Sequence, residues 1–376
     1  MAGIYIHIPF CKQACTYCNF HFSVSLKNKT ALIKALVKEI ELSSEFIDDK
    51  NFETIYVGGG TPSLLNEEDL RYIFDALHKK FSIAADAEIT LEANPDDINM
   101  EVLNIWKTIG VNRLSVGLQS FNEVELKWMN RAHNPTQSLL CLNDIKSAGF
   151  ANFSVDLIYG SPLQSNDDLK RNFEIIAERN IPHISCYALT VEPGTLLNKK
   201  INEHKSPAVD ADKQAEQFYL LLEMMSNNSY EQYEISNFCK KGYRSKHNSS
   251  YWQGKPYFGF GPAAHSFNGL DKRRWNISNN SLYIQSLEKN IIPFEEEILT
   301  ELQRLNEYVM TALRTVEGIN FDYIRSGFGE SHVLRILREV EKYLVSGKVI
   351  KTTDGLYLSE EGKFFADGIA GDLFGV

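Results

Sequence analysis

The sequence has no long hydrophobic run, no excess of basic residues and no internal repeat. No apolar stretch approaches the ~20 residues needed to cross a bilayer, so we expect no transmembrane segment. There are 49 acidic against 39 basic side chains, and the formal net charge of −10 argues against a nucleic-acid-binding surface. The 376 residues then suggest one large domain with a smaller one, or two to three domains of ordinary size.

We expect no secretory leader, because Met1-Ala2-Gly3 leads straight into an apolar run of strand length. Disulfides are therefore not expected, since thiols stay reduced in the cytosol. We expect a soluble, cytoplasmic protein. Peripheral contact with a membrane protein and homodimer formation are left open.

Three of the six cysteines stand close together without a fourth. Cys11, Cys15 and Cys18 have the spacing C-x3-C-x2-C. A structural zinc site or an electron-transfer cluster normally takes four protein ligands. Three thiolates on a [4Fe-4S] cluster would leave one iron open to another ligand. The spacing alone also allows a zinc site completed by His7 or His21, ordinary buried cysteines, or a disulfide with one thiol left over.

Short β-rich runs alternate with stretches of helical periodicity. The runs cover residues 3–8, 52–57, 87–92, 113–118, 153–158 and 184–189. This alternation predicts parallel βαβ units that curl toward a barrel or partial barrel, an α/β fold. Cys11, the glycine-rich run 58–62, Glu92 and Gln119 follow or end these strands, and Asp156 lies within the fifth. Because catalytic groups of parallel barrels lie at the carboxyl ends of the strands, we expect the site there.

The pattern changes near residue 207. We predict a barrel over residues 1–206, an extension over 207–295 and a C-terminal winged-helix-like domain over 296–376. The last unit includes a hairpin at 349–358, because Asp354-Gly355 between apolar runs favours a tight turn.

Four motifs resemble radical S-adenosylmethionine (SAM) proteins of the oxygen-independent coproporphyrinogen III oxidase group. The resemblance extends to about residue 365 and is carried by Tyr5-Ile6-His7-Ile8-Pro9-Phe10-Cys11-x3-Cys15-x-Tyr17-Cys18, Gly58-Gly59-Gly60-Thr61-Pro62, the run 114–121 and the run 156–162. It implies a partial (βα)6 TIM-like radical SAM barrel that binds a [4Fe-4S] cluster and SAM. It also implies cluster ligands at Cys11, Cys15 and Cys18, and SAM contacts at Tyr5, Tyr17, Gly59, Gly60, Thr61, Glu92, Gln119, Arg131, Asp156 and Ala188. His265 aligns with a residue beside a second SAM in the oxidase, and a core histidine or a heme contact are the alternatives.

Two features favour the heme-chaperone branch of this group over the oxidase. Phe20 occupies the position where the oxidase carries a further cysteine, and the run 247–252 matches the H-N-x-x-Y-W pattern of the chaperones. The resemblance implies heme as ligand and a respiratory or storage hemoprotein as acceptor. His247 is the candidate axial ligand, with Tyr251 and Trp252 stacking on the porphyrin; the alternative is a packed turn in which His247 caps a helix. The alternative functions are the oxidative decarboxylation of coproporphyrinogen III and a zinc-stabilised protein without radical chemistry.

Overall fold

Six parallel strands lie side by side in chain order at the centre of the protein. The structure, a computed structural model, describes residues 2–43, 46–47 and 51–375. The six strands are β1 (Ala2–Ile8), β2 (Asn51–Gly59), β3 (Ser82–Ala93), β4 (Arg113–Gln119), β5 (Phe153–Tyr159) and β6 (His183–Ala188). The predicted α/β fold with a parallel barrel sheet is confirmed.

Helices follow the strands and cover one face of this sheet. They are α1 (Lys29–Leu42), α2 (Glu67–Lys80), α3 (Met100–Thr108), α4 (Glu123–Trp128), α5 (Pro135–Ser147), α6 (Asn166–Glu178) and α7 (Leu196–Asn202), with short 3-10 turns at Pro62–Leu64 and Pro95–Asp97. Successive strand residues point to opposite faces, and Ile4, Ile6 and Ile8 are fully buried in the main apolar core. Within the described residues, no helix is both long and apolar enough to cross a membrane.

The segment predicted as an extension adds strands to both edges of the same sheet. After α8 (Ala211–Asn227), β7 (Glu231–Glu234) and β8 (Asn237–Cys239) join antiparallel beside β6. After α9 (Lys246–Trp252), β9 (Tyr257–Phe260) pairs parallel with β1. Among the described residues the sheet has 12 strands, the last of which are β10 (His265–Phe267), β11 (Lys272–Asn276) and β12 (Phe294–Ile298), with α10 (Asn280–Glu288) before β12.

The C-terminal module, residues 301–375, has its own apolar core. It consists of α11 (Glu301–Leu313), β13 (Ile319–Asn320), α12 (Phe321–Phe328), α13 (Glu330–Glu339), α14 (Glu341–Val345), β14 (Val349–Lys351), β15 (Gly355–Leu358), α15 (Glu360–Lys363) and α16 (Ala366–Asp372). β14 and β15 form an antiparallel pair where the hairpin is predicted. The three-unit division stays a prediction, and its two ends, Met1 and Val376, lie outside the described residues.

Candidate functional site

A cavity of about 1060 Å³ lies between the carboxyl ends of the barrel strands and the C-terminal module. Twelve of the residues predicted to bind the cluster or SAM line it, together with Phe20. They are Cys11, Cys15, Tyr17, Cys18, Gly59, Gly60, Thr61, Glu92, Gln119, Arg131, Asp156 and Ala188. Helix α16 and the residues just before it form the opposite wall.

The loop that carries the three cysteines is held by backbone hydrogen bonds at both ends. The Cys11 amide donates to the Ser23 carbonyl at 3.0 Å, and the Thr16 amide donates to the Met129 carbonyl at 3.0 Å. The Asn130 amide side chain donates to the Ala14 carbonyl at 2.7 Å. The three thiols are half-buried and free, so the loop presents all three sulfurs to one cavity.

The donor set fits an iron–sulfur cluster better than a single ion. Within the described residues, no three Cys, His, Asp or Glu side chains stand close enough to share one metal ion. A cluster sets its thiolates further apart, because they bind different irons. The histidines considered for zinc are engaged elsewhere: His7 Nε2 donates to the His21 carbonyl (2.9 Å) and Nδ1 accepts from the Tyr5 hydroxyl (3.0 Å). His21 Nε2 lies 2.7 Å from Asn280 Oδ1.

Burial raises the pKa of Cys11 to about 11, although a hydrogen bond from Thr61 opposes the shift. Without metal this thiol therefore stays protonated at neutral pH. Iron binds thiolates, so loading a cluster here would release protons and fix the loop.

Arg131 is the cation nearest the thiols. Its Nη1 donates to Cys15 Sγ at 3.3 Å, while Nη2 donates to Asn94 Oδ1 at 2.7 Å and to the Gly117 carbonyl at 2.9 Å. Burial alone would lower the pKa of Arg131, but the nearby Tyr17 and Cys15 more than offset this effect. The pKa of Arg131 therefore lies above its ordinary value. The guanidinium thus remains charged in a half-buried position.

The glycine-rich loop after β2 lies directly on the cysteine loop. The Gly60 amide donates to the Ile8 carbonyl at 2.8 Å. A Cβ at residue 60 would come within 2.6 Å of the Phe10 carbonyl oxygen, and Gly59 has φ +110°. Gly60 is therefore required by a close backbone approach, and Gly59 by its left-handed conformation. They leave exposed backbone at the cavity wall.

Two half-buried carboxylates face the cavity from β3 and β5. Glu92 accepts from the Tyr56 hydroxyl at 2.7 Å and from the Gly59 amide at 3.1 Å. Burial raises the pKa of Glu92 to about 7, and the pKa of Asp156 to about 6. Ser185 and Ser115 donate hydrogen bonds to Asp156, which opposes that shift. A ligand that carries positive charge would favour the ionised form of both groups.

Gln119 reaches the cavity through an irregular end of β4. The register with β5 shifts between Gly117 and Gln119, which is a bulge. Gln119 has φ +66°, a conformation that costs a non-glycine residue free energy and often marks functional sites. The bulge turns this side chain toward the wall instead of the helix layer.

The sequence analysis missed several wall residues. Tyr56, Ser115, Ser185 and Tyr187 line the cavity beside Glu92 and Asp156. The signal was the period-2 alternation inside the strands, as in 113–119 (Arg-Leu-Ser-Val-Gly-Leu-Gln), where every second residue is polar or glycine. Such alternation in a parallel barrel puts the polar set in the interior.

Five predicted residues lie off the cavity wall: Tyr5, His247, Tyr251, Trp252 and His265. Tyr5 is stacked on Tyr56, with ring centroids 6.2 Å apart, and therefore supports a wall residue. His265 is exposed on β10 and stacks on Trp275 at 6.2 Å.

His247 is buried near the start of α9, with both ring nitrogens hydrogen-bonded. Nδ1 lies 2.8 Å from Thr54 Oγ1, and Nε2 lies 2.8 Å from the Tyr251 hydroxyl. The His247 ring also stacks on Tyr56 at 5.0 Å, and burial lowers its pKa to about 3. In this conformation neither nitrogen is free for iron. The heme role of the hexad, residues 247–252, stays a prediction.

Comparison with known proteins identifies the family. The sequence model of the Radical SAM superfamily matches residues 5–190. The chain is 32% identical to heme chaperone HemW of Mycobacterium tuberculosis over 99% of this chain and 95% of the relative. It is 31% identical to heme chaperone HemW of Bacillus subtilis over the full length of both.

The fold is similar to that of coproporphyrinogen III oxidase (HemN) from Escherichia coli, described as a radical SAM enzyme. The TM-score is 0.86 at 22% identity, covering 99% of this chain and 90% of the other. At this identity the likeness concerns the fold alone. Since the whole chain matches the curated relatives above 30% identity, it belongs to the HemW family of radical SAM proteins.

Proposed function

We propose that this protein is a heme chaperone that binds heme beside a SAM-ligated cluster and passes it to an acceptor hemoprotein. One observation carries the proposal: a single cavity combines the three-thiol corner with exposed aromatic side chains. Phe20, Tyr187 and Phe365 line this cavity and are 68%, 43% and 42% exposed. Large apolar side chains exposed in a concave site are typical of a binding surface for an apolar ligand.

Cys11, Cys15 and Cys18 would hold the [4Fe-4S] cluster. When bound, such a cluster supplies an open iron for the amino and carboxylate groups of SAM and an electron path to its sulfonium. Arg131 keeps a positive charge beside Cys15 and offsets the charge of the thiolates. The glycine-rich loop packs so closely on the cysteine loop that a side chain at Gly60 would collide with the Phe10 carbonyl.

The other wall residues would orient SAM. Gly59, Gly60 and Thr61 offer backbone close to the thiols, and Glu92 and Asp156 offer carboxylates for its cationic and hydroxyl groups. Gln119, Ala188 and Tyr17 complete the wall around them, with Arg131 as the fork donor for a carboxylate. These roles predict that SAM and the cluster share one end of the cavity.

The rest of the cavity would hold heme. Phe20 is favourable here, because an exposed phenyl ring can pack on a porphyrin while it cannot act as an acid or a ligand. We assign His247, Tyr251 and Trp252 a supporting role under the cavity, since they do not line it and His247 has no free ring nitrogen in this conformation. The iron ligand of heme is not assigned.

The test is an anaerobic titration of the cluster-loaded protein with hemin, followed by transfer to an apo-hemoprotein. We expect micromolar or tighter binding and transfer, with affinity lowered by Phe20→Ala. Tyr72→Ala is the matched control, because Tyr72 is exposed on α2 and does not line the cavity. Failure to bind hemin would contradict the proposal.

The same sample is assayed with coproporphyrinogen III, SAM and reductant. We expect no protoporphyrinogen. Its formation would favour the oxidase function instead.

A further inference from the structure

The C-terminal wall of the cavity brings two lysines together. Ser359 N donates to the Lys348 carbonyl at 3.0 Å, which fixes the residues after β15 against the start of β14. Gly362 lies so close that a Cβ there would meet the Lys348 carbonyl oxygen at 1.9 Å. Lys363 follows directly, so Lys348 and Lys363 leave adjacent backbone segments and both line the cavity.

These two lysines are the cations of the C-terminal wall that form no ion pair within the described residues. Arg314, on the same wall, forms an ion pair with Asp367 at 2.9 Å. Lys12, across the cavity, pairs with Asp96 and Asp97. Lys363 donates only to the neutral Gln232 Oε1 at 2.7 Å, and Lys348 lies over the Phe365 ring at 4.3 Å.

The acidic residues of this wall are neutralised. Asp367 is held by Arg314, and Asp372 pairs with Lys342 and accepts from the Tyr343 hydroxyl at 2.5 Å. Burial lowers the pKa of Lys363 and the nearby Glu360 offsets this shift only in part, so the charge is incompletely compensated. A bound anion would supply that compensation.

An apolar surface adjoins the two lysines. The Phe364 ring is packed against Phe218 of α8, with centroids 5.8 Å apart, while Phe365 turns edge-on to it at 5.4 Å and stays exposed. Phe20 and Tyr187 are exposed to the same cavity from the barrel side. A ligand complementary to this wall has a flat apolar ring system and two anionic groups on one edge.

We propose that Lys348 and Lys363 form a clamp for the paired propionates of the tetrapyrrole, so that the C-terminal module retains heme in the cavity. This inference rests on the proposed function and deepens it. The lysines act as charged donors to carboxylates, and Phe365 covers the ring edge next to them. The module then holds the heme and the barrel holds the cluster.

The experiment compares hemin with heme dimethyl ester, which keeps the ring and loses both negative charges. We expect the full-length, cluster-loaded protein to bind hemin more tightly than the ester. Lys348→Ala and Lys363→Ala should each weaken hemin binding about tenfold, the equivalent of about 1.4 kcal/mol, and leave ester binding unchanged. The matched control is Lys351→Ala, an exposed lysine of β14 that does not line the cavity.

The outcomes separate the two proposals. If hemin binds to the wild type and both lysine variants bind it equally well, the clamp is wrong and the chaperone function stands. If the ester binds as tightly as hemin, the clamp is also wrong. If the wild type binds neither porphyrin, the proposed function itself fails. Iron content and thermal midpoint, measured on every variant, identify a folding defect, in which case Lys348→Gln and Lys363→Gln replace the alanine variants.

Discussion

The guanidinium of Arg314 lies over the indole of Trp252, with 5.1 Å between Cζ and the ring centroid. Trp252 ends the hexad helix α9, and Arg314 follows α11 of the C-terminal module. Arg314 also pairs with Asp367 on α16, at the cavity wall. Trp252 therefore supports the wall from behind, through one arginine that contacts both α9 and α16.

Replacing Trp252 should loosen this contact without disturbing the cluster end. We expect Trp252→Ala to remove about 1 kcal/mol of cation–π and packing free energy, and Trp252→Phe to remove less. Hydrogen exchange of residues 359–375 reports the change, because α16 loses its support. Iron content should be unaffected.

The control for this contact is Arg325→Ala, whose exposed side chain pairs only locally with Asp322 and Glu330. Equal exchange in all variants would show that the contact does not couple the hexad to the wall.

Replacing a clustered cysteine should reduce iron loading far more than replacing a buried one. We expect Cys11→Ala to lose most iron and sulfide after anaerobic reconstitution, and to lose SAM binding with them. Cys141→Ala is the control, because the Cys141 thiol is fully buried and donates to the Ser138 carbonyl at 3.1 Å, away from the cavity. Full iron loading of Cys11→Ala would contradict the cluster assignment.

The affinity for SAM should decrease as the pH is lowered below about 7. Burial raises the pKa of Glu92 to about 7 in the free protein, and a cationic ligand favours its carboxylate. Protons therefore compete with SAM as the pH decreases, by up to about tenfold per pH unit, and the affinity levels off above the pKa. Calorimetric titration between about pH 6 and pH 8 measures the slope.

Glu92→Gln provides the comparison for this slope, since it cannot ionise. It should bind SAM more weakly at pH 8 and with a flatter pH profile. An unchanged profile would exclude Glu92 as the titrating group.

Two glycine replacements should shift stability in opposite directions. We expect Gly60→Ala to lower the free energy of unfolding by about 1–3 kcal/mol, because its Cβ meets the Phe10 and Ile8 carbonyl oxygens at 2.6 and 2.9 Å. Gly327→Ala should raise it by about 0.5–1 kcal/mol, since Gly327 is exposed inside α12 with open space around it. Thermal unfolding distinguishes the signs, and a neutral Gly60→Ala would show that the loop can shift.

Local patterns predicted the first residue of some barrel strands but not of others. β4 begins at Arg113 and β5 at Phe153, as the apolar alternation indicates. β3 begins at Ser82 instead of residue 87, because Ser82 and Ile83 pair with the first residues of β2. That extension depends on a neighbouring strand, and residues 82–86 carry no strand pattern of their own.

The sequence by itself determined the cysteine spacing, the glycine loop and the alternation that turns polar strand residues inward, because each depends on neighbours a few positions away. Only the tertiary structure decided that His247 is closed in by Thr54 and Tyr251, and that Lys348 and Lys363 line the same cavity as the clustered cysteines. The contact of His247 with Thr54 and the shared cavity join residues far apart in the chain. They follow from how α9 and the C-terminal module pack on the barrel, and local periodicity does not indicate that packing.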